Sequence, residues 1–92
     1  MLKVWAFEVK ERAGRVCEFC GKPHKWLNSH HIIGKRYLPL RYDLMNGLCL
    51  CPSCHKFAPG FAAHENPLRV SEWLRYERPI QFQYLMDHME AK

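Results

Sequence analysis

Four of the five cysteines form two pairs of identical spacing, Cys17-x2-Cys20 and Cys51-x2-Cys54. Two such pairs build the tetrahedral four-thiolate set that Zn²⁺ takes, with Zn–S of about 2.3 Å. Sulfur fills every ligand position, so the predicted ion is structural and has no open position for chemistry. Thirty residues separate the pairs, which makes the intervening segment a folded insertion clipped shut at its base by the metal. Cys49 lies two positions before Cys51 on a predicted strand and is assigned as a small buried hydrophobe.

Within and just after the insertion stand His30, His31, Asn46 and His55. The order Cys-x2-Cys, His-His-Ile, Asn-Gly-Leu-Cys-Leu-Cys-Pro-x-Cys-His resembles the HNH endonuclease family with its ββα-metal fold, over about residues 15–57. The resemblance implies His31 as general base, Asn46 as the residue that positions it, and His55 as ligand to a catalytic divalent ion. His30 stands where many members carry an Asp ligand and others, including the colicin nucleases, carry His. Those nucleases have a further His one helical turn after the position of His55, whereas this chain has Pro59. His64 is the candidate replacement ligand, against a plainer role as a surface or capping residue.

Elementary chemistry agrees with these roles. An imidazole with an ordinary pKa of about 6.5 can take a proton from water near neutral pH. Neighbours on a strand point to opposite faces, so His30 and His31 share one site only if the strand ends or bends there. They then divide labour, one ligating metal and the other addressing the attacking water. Asn46 also precedes Gly47 as an Asn-Gly turn signal, and both roles stay open. His55 follows Cys54 directly, so the zinc site would aim it at the hairpin. Two neutral imidazoles offer no hard oxygen, which predicts Mn²⁺, Co²⁺ or Ni²⁺ in preference to Mg²⁺.

The elements that must position these groups follow from periodicity. Leu2, Trp5, Ala6, Val9 and Ala13 keep helical spacing and Gly14 is placed to end that helix, although Trp5, Phe7 and Val9 also alternate as in a strand. His30-His31-Ile32-Ile33 predicts one strand, and Asn46-Gly47 opens a second, Leu48-Cys49-Leu50, making a long-looped hairpin. A short helix begins at Pro52 and stops at Pro59-Gly60. Asn66-Pro67 starts a helix through Leu68, Val70, Trp73, Leu74 and Glu77, which Pro79 ends; a last helix carries Phe82, Leu85, Met86 and Met89 on one face. The expected fold is a single α+β domain over residues 1–92, with a helical part at about 66–90. Trp5, Trp26 and Trp73 could stack on bases, but they stand near apolar neighbours at helical or loop positions and are assigned mostly to the core.

A 92-residue chain is small enough to need a staple. Its 48% hydrophobic content marks a folded protein, and its apolar runs are too short for a membrane span. Glu8 interrupts any signal-peptide core, so a reducing intracellular home is expected, where cysteines serve metals. A net charge of +5 favours a polyanionic partner. Lys35, Arg36, Arg41 and Lys56 beside the histidines are candidate phosphate contacts; His24 stays open between a phosphate contact and a solvated residue, and His88 is an ordinary residue of the last helix.

The family resemblance implies hydrolysis of double-stranded DNA to 5′-phosphate and 3′-hydroxyl ends. Small free-standing members resemble phage proteins encoded beside DNA-packaging genes, which implies terminase or packaging partners and the cytoplasm of a bacterium or phage-infected host. The rival expectations are a non-catalytic zinc-dependent nucleic-acid-binding module and a packaging adaptor.

Overall fold

The computed structural model describes residues 2–57 and 67–90, without the side chains of Lys56, Phe57, Pro67 and Glu90. Helix α1 (Leu2–Arg12) buries a narrow stripe, Trp5 and Val9, one turn apart. The alternating strand reading fails at Phe7, which is 55% exposed. Gly14 ends the helix at φ +72°, with Arg15 N–H reaching Lys10 O at 3.0 Å and Gly14 N–H reaching Glu11 O at 3.0 Å. This pair of bonds is a Schellman cap, and glycine meets its left-handed position at least cost.

Strands β1 (Asn28–His31) and β2 (Gly47–Leu50) pair antiparallel, with His30 opposite Leu48 and His31 opposite Gly47. The strand expected at His30–Ile33 therefore lies two residues earlier. Asn46 is the reason: its side chain takes both the N–H and the C=O of Ile33, groups a continuing ladder would need. The connection between the strands contains 3₁₀ turns at Leu38–Leu40 and Leu44–Asn46.

Strand β2 is buried throughout and separates two packing layers. Leu48 and Leu50 face Val70 and Leu74 of α2 (Pro67–Glu77), together with Cys17, Cys51 and Cys54. Cys49 faces the other way, onto Trp5 and Val9 of α1. Gly47 is required for that approach: a Cβ there would lie 2.5 Å from Val9 Cγ2 and 3.0 Å from Trp5 Cζ2. Its backbone is extended (φ −121°), so Asn46-Gly47 does not form a left-handed hairpin turn, and the glycine is demanded by packing instead.

Helix α3 (Pro79–Glu90) follows Arg78, with Pro79 in its first turn, where the missing N–H costs least. Its inner face is Gln81, Phe82 and Leu85, while Met86 and Met89, expected on one face with Phe82 and Leu85, are exposed. Gln81 turns inward because its amide donates to Met45 O at 2.8 Å and to Gly47 O at 3.2 Å, satisfying carbonyls at the start of β2. The Glu18 carboxylate, 5% exposed, accepts from Arg12 at 3.3 Å, Arg78 at 2.7 Å and the Cys49 N–H at 2.8 Å. One buried acid thus joins α1, the first cysteine pair, β2 and the α2–α3 junction. Two of the three tryptophans are inside, but Trp26 is 70% exposed, contrary to its core assignment. The short helix from Pro52 is present as a wide turn at Ser53–Phe57; its expected stop at Pro59-Gly60 and the Asn66 cap lie outside the described residues.

Candidate functional site

The first cysteine pair is shaped by Gly21 at φ +75°, whose N–H closes the turn on Cys17 O at 2.8 Å, and by the pairing of Val16 with Pro23. The second pair spans the end of β2 and the Ser53–Phe57 turn. The four sulfurs of Cys17, Cys20, Cys51 and Cys54 all lie within 4.8 Å of one another, with Cys20 and Cys51 at 3.9 Å. A tetrahedron with Zn–S of about 2.3 Å has S···S edges of about 3.8 Å, so the set fits a zinc ion. Among the described residues this is the one group of three or more metal-ligating side chains so placed. Cys17, Cys51 and Cys54 are buried and Cys20 is exposed.

Burial and the neighbouring sulfurs push the Cys54 thiol up, and burial likewise raises Cys20. Burial also opposes ionisation of Cys17, but the N–H groups of Cys20, Cys51 and Phe19 outweigh it and bring that thiol below its ordinary value. Cys49 stands apart. Burial, then the charge of Glu18, raises its thiol to about 11, and it packs with Trp5 and Val9 as a small hydrophobe.

Beside the sulfurs, His30, His31 and His55 line one cleft of about 300 Å³ with Ser29, Gly34 and Lys35. Strand β1 ends at His31, which is how two neighbouring residues come to share it. The His30 and His55 rings meet edge to face, 5.1 Å between centroids. His55 is set by the sequence next to Cys54 and by its N–H bond to Cys51 O at 2.9 Å.

His31 is held differently. Its ring stacks on the Trp5 indole with centroids 3.9 Å apart and planes 9° from parallel, and its Nε2 lies 2.9 Å from Arg41 O. A carbonyl only accepts, so Nε2 carries the hydrogen and Nδ1 of the neutral ring keeps its lone pair. Trp5 is itself fixed by Nε1–H donation to Asp43 O at 2.9 Å.

Asn46 is fully buried and makes no hydrogen bond to His31 among the described residues. It accepts from Ile33 N–H at 2.7 Å and donates to Ile33 O at 2.9 Å and Leu40 O at 3.0 Å. It therefore ties the two ends of the loop whose next residue, Arg41, meets the His31 ring. Its expected influence on His31 is indirect.

Of the basic residues, Lys35 lines the cleft and Arg36 is exposed, while Arg41 is half-buried with Nε donating to Lys35 O at 2.8 Å. The Lys56 side chain and His64 lie outside the described residues. Sequence reasoning missed Trp5 as the support of His31, and Glu18, Arg12 and Arg78 as the frame. No local spacing signals a stack between residues 26 positions apart or a bond between residues 60 apart.

The chain matches no protein-family profile, no curated protein and no solved structure. What its fold and site define is a small α+β domain with a two-stranded sheet and four cysteines placed to hold a metal ion. No helix among the described residues is long and apolar enough to cross a membrane.

Proposed function

We propose that this protein is a zinc-stapled, metal-dependent endonuclease of the HNH type, hydrolysing phosphodiester bonds of DNA. The observation that carries the reading is the convergence of His30, His31 and His55 in one cleft against a four-cysteine site. A zinc ion in the sulfur cluster would have no free position, so its part is to fix the hairpin against the turn that bears His55.

In the proposed reaction, Nδ1 of His31 takes a proton from a water molecule as that water's oxygen bonds to phosphorus in line with the departing 3′-oxygen. The P–O3′ bond breaks, leaving a 5′-phosphate, and the 3′-oxygen takes a proton from solvent. A divalent ion held by His30 and His55 would supply charge neutralisation at the phosphate and the leaving oxygen. Trp5 and Arg41 O hold the His31 ring so that no rotation is needed at the moment of proton transfer. Asn46 acts through the loop as a positioning residue. Lys35, at the rim, supplies a cation for the scissile or adjoining phosphate. The family resemblance adds double-stranded DNA as substrate, phage packaging proteins as partners and the host cytoplasm as the place of action.

The test is nicking of supercoiled plasmid with added Mn²⁺ by the wild-type protein and by His31→Ala. The wild type should nick, and the variant should not, while keeping its zinc, its circular dichroism spectrum and its DNA affinity. Plasmid retardation without nicking would instead establish a zinc-dependent binding module. Wild-type turnover in His31→Ala would remove the assignment of the base.

A further inference from the structure

Trp26 is the most exposed of the three indoles, at 70%, and a lone exposed hydrophobe means little by itself. Its setting is unusual. Residues 21–26 are all exposed, and they include Lys22, His24 and Lys25. The Lys25 ammonium sits 5.5 Å from the Trp26 ring centroid. Between Glu18 and Asp43 the chain has no acidic residue, whereas it has five basic ones, Lys22, Lys25, Lys35, Arg36 and Arg41.

The segment is also held in place. Lys22 O accepts from Cys17 N–H at 3.0 Å, Pro23 pairs with Val16, and β1 begins two residues after Trp26. The backbone is thus tied on both sides of Trp26 before any ligand arrives. Trp26 lies four residues before His30, so the chain between them spans at most about 14 Å. At about 3.4 Å per base step, that is within about four nucleotides of the histidine cleft.

We propose that Trp26, flanked by Lys22 and Lys25, is a stacking site for an unpaired nucleobase, whose adjoining phosphates lie against the two lysines. Stacking on an aromatic side chain is sequence-tolerant because every base has a π-face. Opening a base step inside an intact duplex costs about as much as one such contact returns, so the site selects bases that are already unstacked. The preferred ligand is a strand with a single-stranded segment a few nucleotides from the cleft. The stacking stands on the exposed indole and its charge; only its nearness to a cut site rests on the nuclease reading.

The experiment is fluorescence anisotropy of labelled oligo-dT and of a labelled duplex of the same length, without added divalent ion, using zinc-loaded full chain. Trp26→Ala should weaken oligo-dT binding by about 5- to 150-fold, the equivalent of about 1–3 kcal/mol per stacked base. Duplex binding should change less than about twofold, and Trp26→Phe should recover most of the loss. Because stacking releases no counterions, the salt slope should persist in Trp26→Ala, but fall by about 1.4 in Lys22→Ala/Lys25→Ala for two single-strand phosphates. Unchanged oligo-dT affinity in Trp26→Ala, or equal losses for both ligands, overturns the proposal. Plasmid nicking measured on the same preparations separates the two readings: a wild type that never nicks, yet loses oligo-dT with Trp26→Ala, leaves the stacking site standing without the nuclease.

Discussion

Replacing Asn46 by Asp distinguishes a buried tie from a turn residue. As the leading residue of an Asn-Gly turn, position 46 would accept Asp almost freely, because Asp-Gly serves such turns nearly as well. The structure demands the opposite. Asp keeps the acceptor for Ile33 N–H but removes both N–H donors, leaving Ile33 O and Leu40 O facing an oxygen. Each buried carbonyl so abandoned costs about 1–3 kcal/mol, hence about 2–6 kcal/mol for the pair. A domain of this size has only about 5–15 kcal/mol in all. With about 4–8 °C per kcal/mol, the melting temperature should fall by at least about 8 °C in Asn46→Asp. Thermal unfolding followed by circular dichroism in zinc-containing buffer measures this. Acidification should return part of the loss, since a protonated carboxyl offers one donor. A melting temperature within about 5 °C of wild type would refute the tie, because that shift corresponds to about 1 kcal/mol.

Cys17→Ser and Cys54→Ser should each lose zinc and the cooperative unfolding transition, read by elemental analysis and calorimetry, because metal binding and folding are coupled in such sites. Gly47→Ala should destabilise by about 1–3 kcal/mol through its collision with Val9 Cγ2, and Val9→Ala in the same chain should recover part of that in a denaturant titration. Metal titration of plasmid nicking should favour Mn²⁺, Co²⁺ or Ni²⁺ over Mg²⁺, and His30→Asp should move the preference toward Mg²⁺ by adding a hard, charged oxygen. An unchanged metal profile in His30→Asp would take His30 out of the ligand set.

Features written in short-range chemistry were legible in the sequence. The two Cys-x2-Cys pairs, the Gly14 cap and strand β2 each follow from residues within a few positions of one another. The exceptions were set by single side chains reaching across the fold. Ile32 and Ile33 read as strand, yet the Asn46 amide, 13 residues away, captures the Ile33 backbone and ends the ladder. Met86 and Met89 read as sharing one face with Phe82 and Leu85, yet Gln81 turns α3 by binding carbonyls more than 30 residues back. Trp26 read as core because indoles usually are, and nothing in its neighbours' periodicity marks a ring that faces water. Glu18, between two ligand cysteines, read as an ordinary charged residue, because neither of its arginines is a helical neighbour.

The two walls of the histidine cleft are held by separate devices, and this bears on how the site would fail. His55 depends on the sulfurs: it follows Cys54, and its N–H bonds Cys51 O. Were a metal held by the four cysteines, its removal would loosen that wall first. His31 depends on Trp5, Arg41 and, through Leu40, Asn46, none of which is a sulfur ligand. Helix α1 reaches this second wall through Trp5 and through Ser29 Oγ–H donation to Ala6 O at 2.7 Å. The two meet at Glu18, which lies between Cys17 and Cys20 in sequence while gripping Arg12 of α1 and the backbone of β2. A small chain cannot fix four rings and four sulfurs by core packing alone. Here a metal-sized cluster of thiols holds one side and a buried hydrogen-bond network the other, and a single carboxylate keeps them in register.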